Sequence, residues 1–67
     1  MSEREILRQE VARHAQRVRE IVAALQDLES EAAEDERARE AGLLRMELVG
    51  RTAAVELGTA RLKYLRD

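Results

Sequence analysis

The chain has 67 residues, no cysteine, and 14 acidic against 12 basic residues, which gives a net charge of −2 at pH 7. This length allows one domain at most, and the missing cysteine excludes a disulfide framework and thiolate chemistry. The near-neutral charge gives no global basic field, so we expect no nucleic acid partner.

The composition predicts an all-α fold. The chain has no proline and three glycines, and it is rich in alanine, glutamate, arginine and leucine, which are good helix formers. Ser2 and Glu5 have the spacing of a capping box, in which the serine hydroxyl accepts a backbone N–H bond. We therefore predict a first helix over about residues 3–33.

One apolar stripe runs along the first predicted helix and ends at Ala32. Its residues follow one another at alternating spacings of four and three, and this pattern is typical of packing against one neighbouring helix. Ala15 and Val22 widen the stripe on one side. The seam consists of Leu7, Val11, His14, Val18, Ile21, Leu25 and Leu28.

His14 is the only histidine and occupies a seam position. We interpret it as a tolerated polar interruption, with a partner contact or a pH-sensitive step as alternatives. Glu10 lies one turn earlier, but two ligands are fewer than the three or four that a stable metal site needs. We therefore expect no metal.

Acidic residues dominate positions 27–40, which contain seven carboxylates and two arginines. We interpret this stretch as a solvated connection or frayed helix end, with the connection over about residues 34–41. The alternative is an acidic patch for a basic partner. Gly42, which follows Arg37 and Arg39, is the best candidate for a helix boundary. Because no turn signal marks a bend, the alternative fold is one long helix in a coiled-coil dimer.

A second helix is predicted over about residues 42–66, and it carries two adjacent apolar rows. One row contains Leu44, Leu48, Val55, Gly58, Leu62 and Leu65, and the other contains Leu43, Met46, Gly50, Ala53, Leu57, Ala60 and Tyr64. We assign Leu57, with the first row, to packing against the first helix. Two rows indicate more than one neighbour, so the second row should be free for a partner.

The predicted interface combines large apolar residues with small ones that let a neighbouring backbone come close. Enlarging Gly58 should therefore weaken docking more than folding. Tyr64, the only aromatic residue, is expected at a partly buried edge, with interface anchoring as the alternative. The interface set is Leu44, Leu48, Gly50, Ala53, Val55, Leu57, Gly58, Ala60, Leu62 and Tyr64.

Residues 51–65 resemble the second helix of the small co-chaperones of type III secretion needle subunits. An Ala-Leu-Glu element of that family corresponds here to Ala54-Val55-Glu56, followed by small and aliphatic residues and Tyr64. The resemblance implies a helical hairpin that pairs with a helical-repeat chaperone and keeps the needle subunit unpolymerised.

The same stretch is similar to the first helix of helical chorismate mutases, through Val55-Glu56-Leu57-Gly58 and Arg61 in place of a substrate-binding lysine. That family has an arginine eleven residues before this cation, where this chain has Gly50. We keep this enzyme family as a remote alternative, and we expect no catalytic residues and no cofactor.

The sequence therefore predicts an antiparallel two-helix hairpin, completed by self-association or by a protein partner. In so short a chain, the free energy gained by burying apolar surface nearly cancels the conformational entropy lost on folding. No apolar run approaches the ~20 residues of a membrane span, and Met1 is not followed by a basic and then an apolar run. We expect a non-enzymatic interaction module, either a small chaperone or adaptor of a secretion-type assembly or a structural coiled-coil oligomerisation protein. We expect a cytoplasmic location, and the arginine-rich composition indicates a bacterial source.

Overall fold

The computed structural model describes residues 2–30 and 35–65 and contains two α-helices, α1 (Glu3–Ser30) and α2 (Asp35–Tyr64). The helices pack against each other along their length as an antiparallel hairpin, about 50 Å long and 14 Å across. The predicted all-α hairpin is confirmed, and the alternative of one continuous helix is wrong.

The start of α1 is set by Ser2. The backbone N–H of Glu5 donates to Ser2 Oγ at 3.2 Å, and the N–H of Ile6 donates to the Ser2 carbonyl at 3.1 Å. The Glu5 bond satisfies a donor that a helix start otherwise leaves unpaired, and the Ile6 bond is the first regular hydrogen bond of the helix. The predicted start at residue 3 is confirmed, whereas the predicted end near residue 33 and the seam position Ala32 lie outside the described residues.

The start of α2 differs from the prediction. The predicted connection over residues 34–41 is wrong for residues 35–41, which are helical, and Gly42 lies inside α2 without a positive φ angle. Asp35 and Glu36 form the first turn of α2. Carboxylates are favourable there because the helix dipole places partial positive charge at its N-terminal end. The acidic residues therefore begin a helix here.

The hydrophobic core lies in the half of the hairpin where α1 ends and α2 begins. Ile21 is fully buried, and Leu25 and Ala41 are nearly so. Three half-buried leucines pack around them, Leu28, Leu44 and Leu48. The remaining seam residues of α1 are half-buried, so the whole predicted seam lies on the covered face, at Leu7, Val11, His14, Val18, Ile21, Leu25 and Leu28.

In the other half of the hairpin, α2 approaches α1 closely at Gly58. This glycine is buried, and a Cβ atom built on it would overlap Cγ2 of Val11 and lie 3.8 Å from Cδ1 of Leu7. The prediction that Gly58 admits a second neighbour is therefore wrong, because its missing side chain makes room for Val11 of the same chain.

Gly58→Ala should destabilise the hairpin, whereas Gly42→Ala should stabilise it. Alanine is the better helix former by about 0.8–1 kcal/mol, and a Cβ on Gly42 meets no atom within 4 Å. At Gly58 the same methyl collides with Val11, whose β-branched side chain has little rotamer freedom in a helix. Chemical denaturation followed by circular dichroism measures both effects.

The double variant Gly58→Ala/Val11→Ala is the control for this contact. Removing the Val11 methyl groups should relieve the overlap, so the double variant should be more stable than the sum of the two single effects predicts. A stabilising Gly58→Ala, equal to Gly42→Ala, would contradict the close packing.

Candidate functional site

The main candidate site is an apolar stripe on the exposed face of α2, which we name the outer stripe. Its residues follow one another at spacings of three and four, and its large members are 63–86% exposed. All seven members are exposed, namely Leu43, Met46, Gly50, Ala53, Leu57, Ala60 and Tyr64. Val49, which is 72% exposed, lies beside them.

The outer stripe and the face that packs on α1 lie on nearly opposite sides of α2. Successive residues are rotated by about 100° around the helix axis. The direction midway between Leu57 and Ala60 therefore lies about 150° around the axis from the direction midway between Gly58 and Leu62. The residues facing α1 are buried or half-buried, and we name them the inner row: Ala41, Leu44, Leu48, Arg51, Val55, Gly58, Leu62 and Leu65. One helix of the same chain cannot cover both faces.

The predicted interface set divides between these two faces. Five of its members belong to the inner row and close the hairpin, namely Leu44, Leu48, Val55, Gly58 and Leu62. The other five belong to the outer stripe, namely Gly50, Ala53, Leu57, Ala60 and Tyr64. Assigning Leu57 to the hairpin packing was wrong, since it is 67% exposed. The partly buried edge expected for Tyr64 is wrong as well, because Tyr64 projects from the outer stripe and is 86% exposed.

The outer stripe has the properties of a helix-docking surface. Leu43, Met46 and Leu57 leave large apolar side chains in water, which is unfavourable unless another apolar surface covers them. Their spacing matches the anchor spacing of helices that pack along a common seam. Gly50 and Ala53 lie between them and leave room for a close approach of a second backbone.

A charged cluster lies between the two helices at the middle of the hairpin. Arg17 of α1 donates to both carboxylate oxygens of Glu47 on α2, at 2.6 and 2.9 Å. Arg51 lies one turn further along α2 and approaches the same carboxylate at 3.3 Å. Arg17 also lies 3.5 Å from Glu20 on its own helix. The two-point contact between Arg17 and Glu47 is directional, and it therefore fixes the axial alignment of the helices.

This cluster shifts the ionisation of its members. The hydrogen bond from Arg17 lowers the pKa of Glu47, and the charges of Arg17 and Arg51 act in the same direction against a smaller effect of desolvation. The same hydrogen bond raises the pKa of Arg17. Both groups are therefore charged across the neutral range and act as a fixed ion pair.

His14 completes the cluster through a contact that the sequence did not indicate. Its Nδ1 atom lies 2.9 Å from Nη1 of Arg51. Arginine has no acceptor, so Arg51 donates and Nδ1 accepts, which requires the neutral imidazole with its proton on Nε2. The polar interruption of the seam is thus partnered across the hairpin, and Arg51 is its partner in the inner row.

Arg4 connects the first turn of α1 to the end of α2. Its guanidinium donates to the backbone carbonyls of Leu62 and Leu65, at 3.0 and 2.8 Å. Carbonyls in the last turn of a helix have no partner within the helix, and a cation is favourable near them. The first turn of α1 therefore caps the end of α2.

The polar groups align the hairpin, and no metal-binding arrangement joins the side chains that the structure describes, in residues 2–28 and 35–65. In these ranges no three His, Cys, Asp or Glu side chains are grouped so that they could hold a metal ion. The same ranges contain no helix that is long and apolar enough to cross a membrane. The outer stripe is therefore the feature on which a function can be argued.

Acid should weaken the hairpin through Glu47. Because its pKa in the folded state lies below the ordinary value of 4.5, its stabilising contribution is complete above that pH and is lost as the pH falls through the lowered pKa. Glu47→Gln should therefore reduce the loss of stability between about pH 6 and about pH 3, measured as denaturation midpoints. Glu56→Gln, an exposed carboxylate of the same helix, is the matched control and should keep the wild-type profile. Overlapping profiles for Glu47→Gln and the wild type would contradict this role.

Comparison with known proteins gives no family assignment. No family model matches the chain, and no curated protein or solved structure matches it significantly. The function proposed below therefore rests on the outer stripe and its surroundings.

Proposed function

We propose that this protein is a non-enzymatic interaction module whose outer stripe docks one amphipathic helix. The observation that carries the proposal is the division of α2 into two apolar faces. The inner row is covered by α1, and the outer stripe leaves Met46, Leu57 and Tyr64 each more than 60% exposed.

Two further observations support a docking role. The spacing of the outer stripe is maintained from Leu43 to Tyr64, and this distance is about 31 Å of helix at 1.5 Å per residue. The hairpin also has a small core, with Ile21, Leu25 and Ala41 as its buried apolar residues among those described. A short chain with so little core gains stability from association.

A finer version of this proposal follows the resemblance of residues 51–65 to the co-chaperones of type III secretion needle subunits. In that version the docked helix belongs to a chaperone or another subunit of a secretion-type assembly. The second candidate is a structural oligomerisation protein, favoured by the regular spacing of the outer stripe. A bacterial and cytoplasmic setting belongs to the same proposal and rests on the sequence alone.

Photo-crosslinking in the producing cells tests the proposal. A benzophenone amino acid at Leu57, in the outer stripe, should form a discrete protein adduct. The same group at Thr59, which is exposed on another face of α2, is the matched control and should form little. Met46→Glu should abolish the Leu57 adduct and leave the helicity unchanged, because Met46 is 73% exposed and a docked apolar surface excludes charge.

The mass of the adduct distinguishes the versions of the proposal. An adduct with a different protein indicates an adaptor or chaperone, and an adduct of twice the chain mass indicates oligomerisation. Equal adducts at Leu57 and Thr59, or a Leu57 adduct that survives Met46→Glu, would contradict docking at the outer stripe.

A further inference from the structure

We infer that the helix covering the outer stripe is α2 of a second copy of this chain, packed antiparallel about a twofold axis near residues 51–52. This inference rests on the proposed function and names the occupant of the surface. Homodimers with twofold symmetry bring the same patch of both subunits together, so the outer stripe has to be complementary to itself.

The outer stripe is self-complementary in one antiparallel register. In this register Leu43 lies opposite the partner's Ala60, and Met46 lies opposite the partner's Leu57. At the centre Gly50 lies opposite the partner's Ala53, so the small residues meet at the axis and let the two backbones approach. Every residue of the outer stripe from Leu43 to Ala60 then has an apolar residue opposite it.

The charges at the ends of α2 favour the same register. Arg39, which is exposed one turn before Leu43, lies opposite the partner's Tyr64, where a guanidinium stacks favourably on an aromatic ring. Glu40 lies beside the partner's Arg61, and both side chains are exposed in the single hairpin. The twofold axis forms each of these contacts twice. The exposed Tyr64 therefore contacts the partner's Arg39 in the dimer interface.

The alternative arrangements bring like charges together. A parallel pair places Arg39 beside the partner's Arg39, and it gathers the acidic first turns, with Asp35 and Glu36, at one end. A shift of one heptad that moves the axis to residue 55 brings Glu56 beside the partner's Glu56 and leaves Leu43 without an apolar residue opposite. The shift in the other direction places the partner's Arg39 opposite Leu57. Like charges in such positions oppose association.

The dimer has a defined shape because the inner row and the outer stripe are about 150° apart on α2. The four helices form a slightly curved row, with the two α2 helices in the middle and the two α1 helices outside. A square bundle would need the two faces to be about 90° apart.

Cysteine crosslinking of the purified chain tests the register, because the wild type has no cysteine. Leu43→Cys and Ala60→Cys are made as separate variants and treated with a short bismaleimide, alone and as an equimolar mixture. The mixture should give a crosslinked dimer in several-fold higher yield than either variant alone, since equivalent positions 43 lie about 26 Å apart along an antiparallel pair. Thr59→Cys mixed with Leu43→Cys is the matched control and should give little dimer.

Sedimentation of the wild type accompanies the crosslinking and should show a dimer at micromolar concentration. Efficient crosslinking of Leu43→Cys with itself would show a parallel pair and overturn the inference. A monomeric wild type, or a dimer whose mixed variants do not crosslink, would overturn it as well. If the purified chain is monomeric while Leu57 still crosslinks to another protein in cells, the docking function stands and only the self-pairing is wrong.

Discussion

The structure depends on one constraint, which is that α2 carries apolar residues on two nearly opposite faces while the described residues supply one other helix to cover them. Packing α1 on the inner row buries Ile21 and Leu25 and draws α2 close at Gly58. It leaves the outer stripe in water. The packing that closes the hairpin is therefore also what leaves the outer stripe exposed, and the proposed docking of a second helix starts from that exposure.

Polar contacts determine the axial alignment of α1 and α2, which the apolar residues alone would not determine. A seam of leucines, valines and alanines packs almost equally well when one helix slides by a heptad, whereas directional charged contacts do not. Arg17 on Glu47 and Arg51 on His14 fix the middle of the hairpin, and Arg4 closes its open end on the carbonyls of α2. These pairs are partly exposed, so their main contribution is to specify the register, and only a small part of the stability comes from them.

The sequence predicted the features that follow from spacing along a single helix. These are the Ser2 cap, the seam of α1 and the two apolar rows of α2. It failed where the outcome depends on the other helix. Spacing cannot tell which neighbour a residue meets, so Leu57 was wrongly assigned to the packing against α1 and Gly58 to a second neighbour. The exposed acidic residues around Asp35 were assigned to a connection, because their favourable interaction with the start of α2 is visible only when a helix is known to begin there. The contact of Arg51 with His14 depends on the register of the folded pair.

Thermal unfolding at two protein concentrations tests most directly whether a second copy covers the outer stripe in the native state. Association that occurs only in the folded protein raises the unfolding midpoint with concentration by mass action. The account predicts a higher midpoint for the wild type at the higher concentration and a concentration-independent midpoint for Leu57→Glu, in which a charge replaces an exposed leucine of the stripe. A difference of about a hundredfold in concentration is well within the range where mass action is measurable, about 2.7 kcal/mol at a hundredfold excess over Kd. Identical wild-type midpoints at two such concentrations would contradict the account.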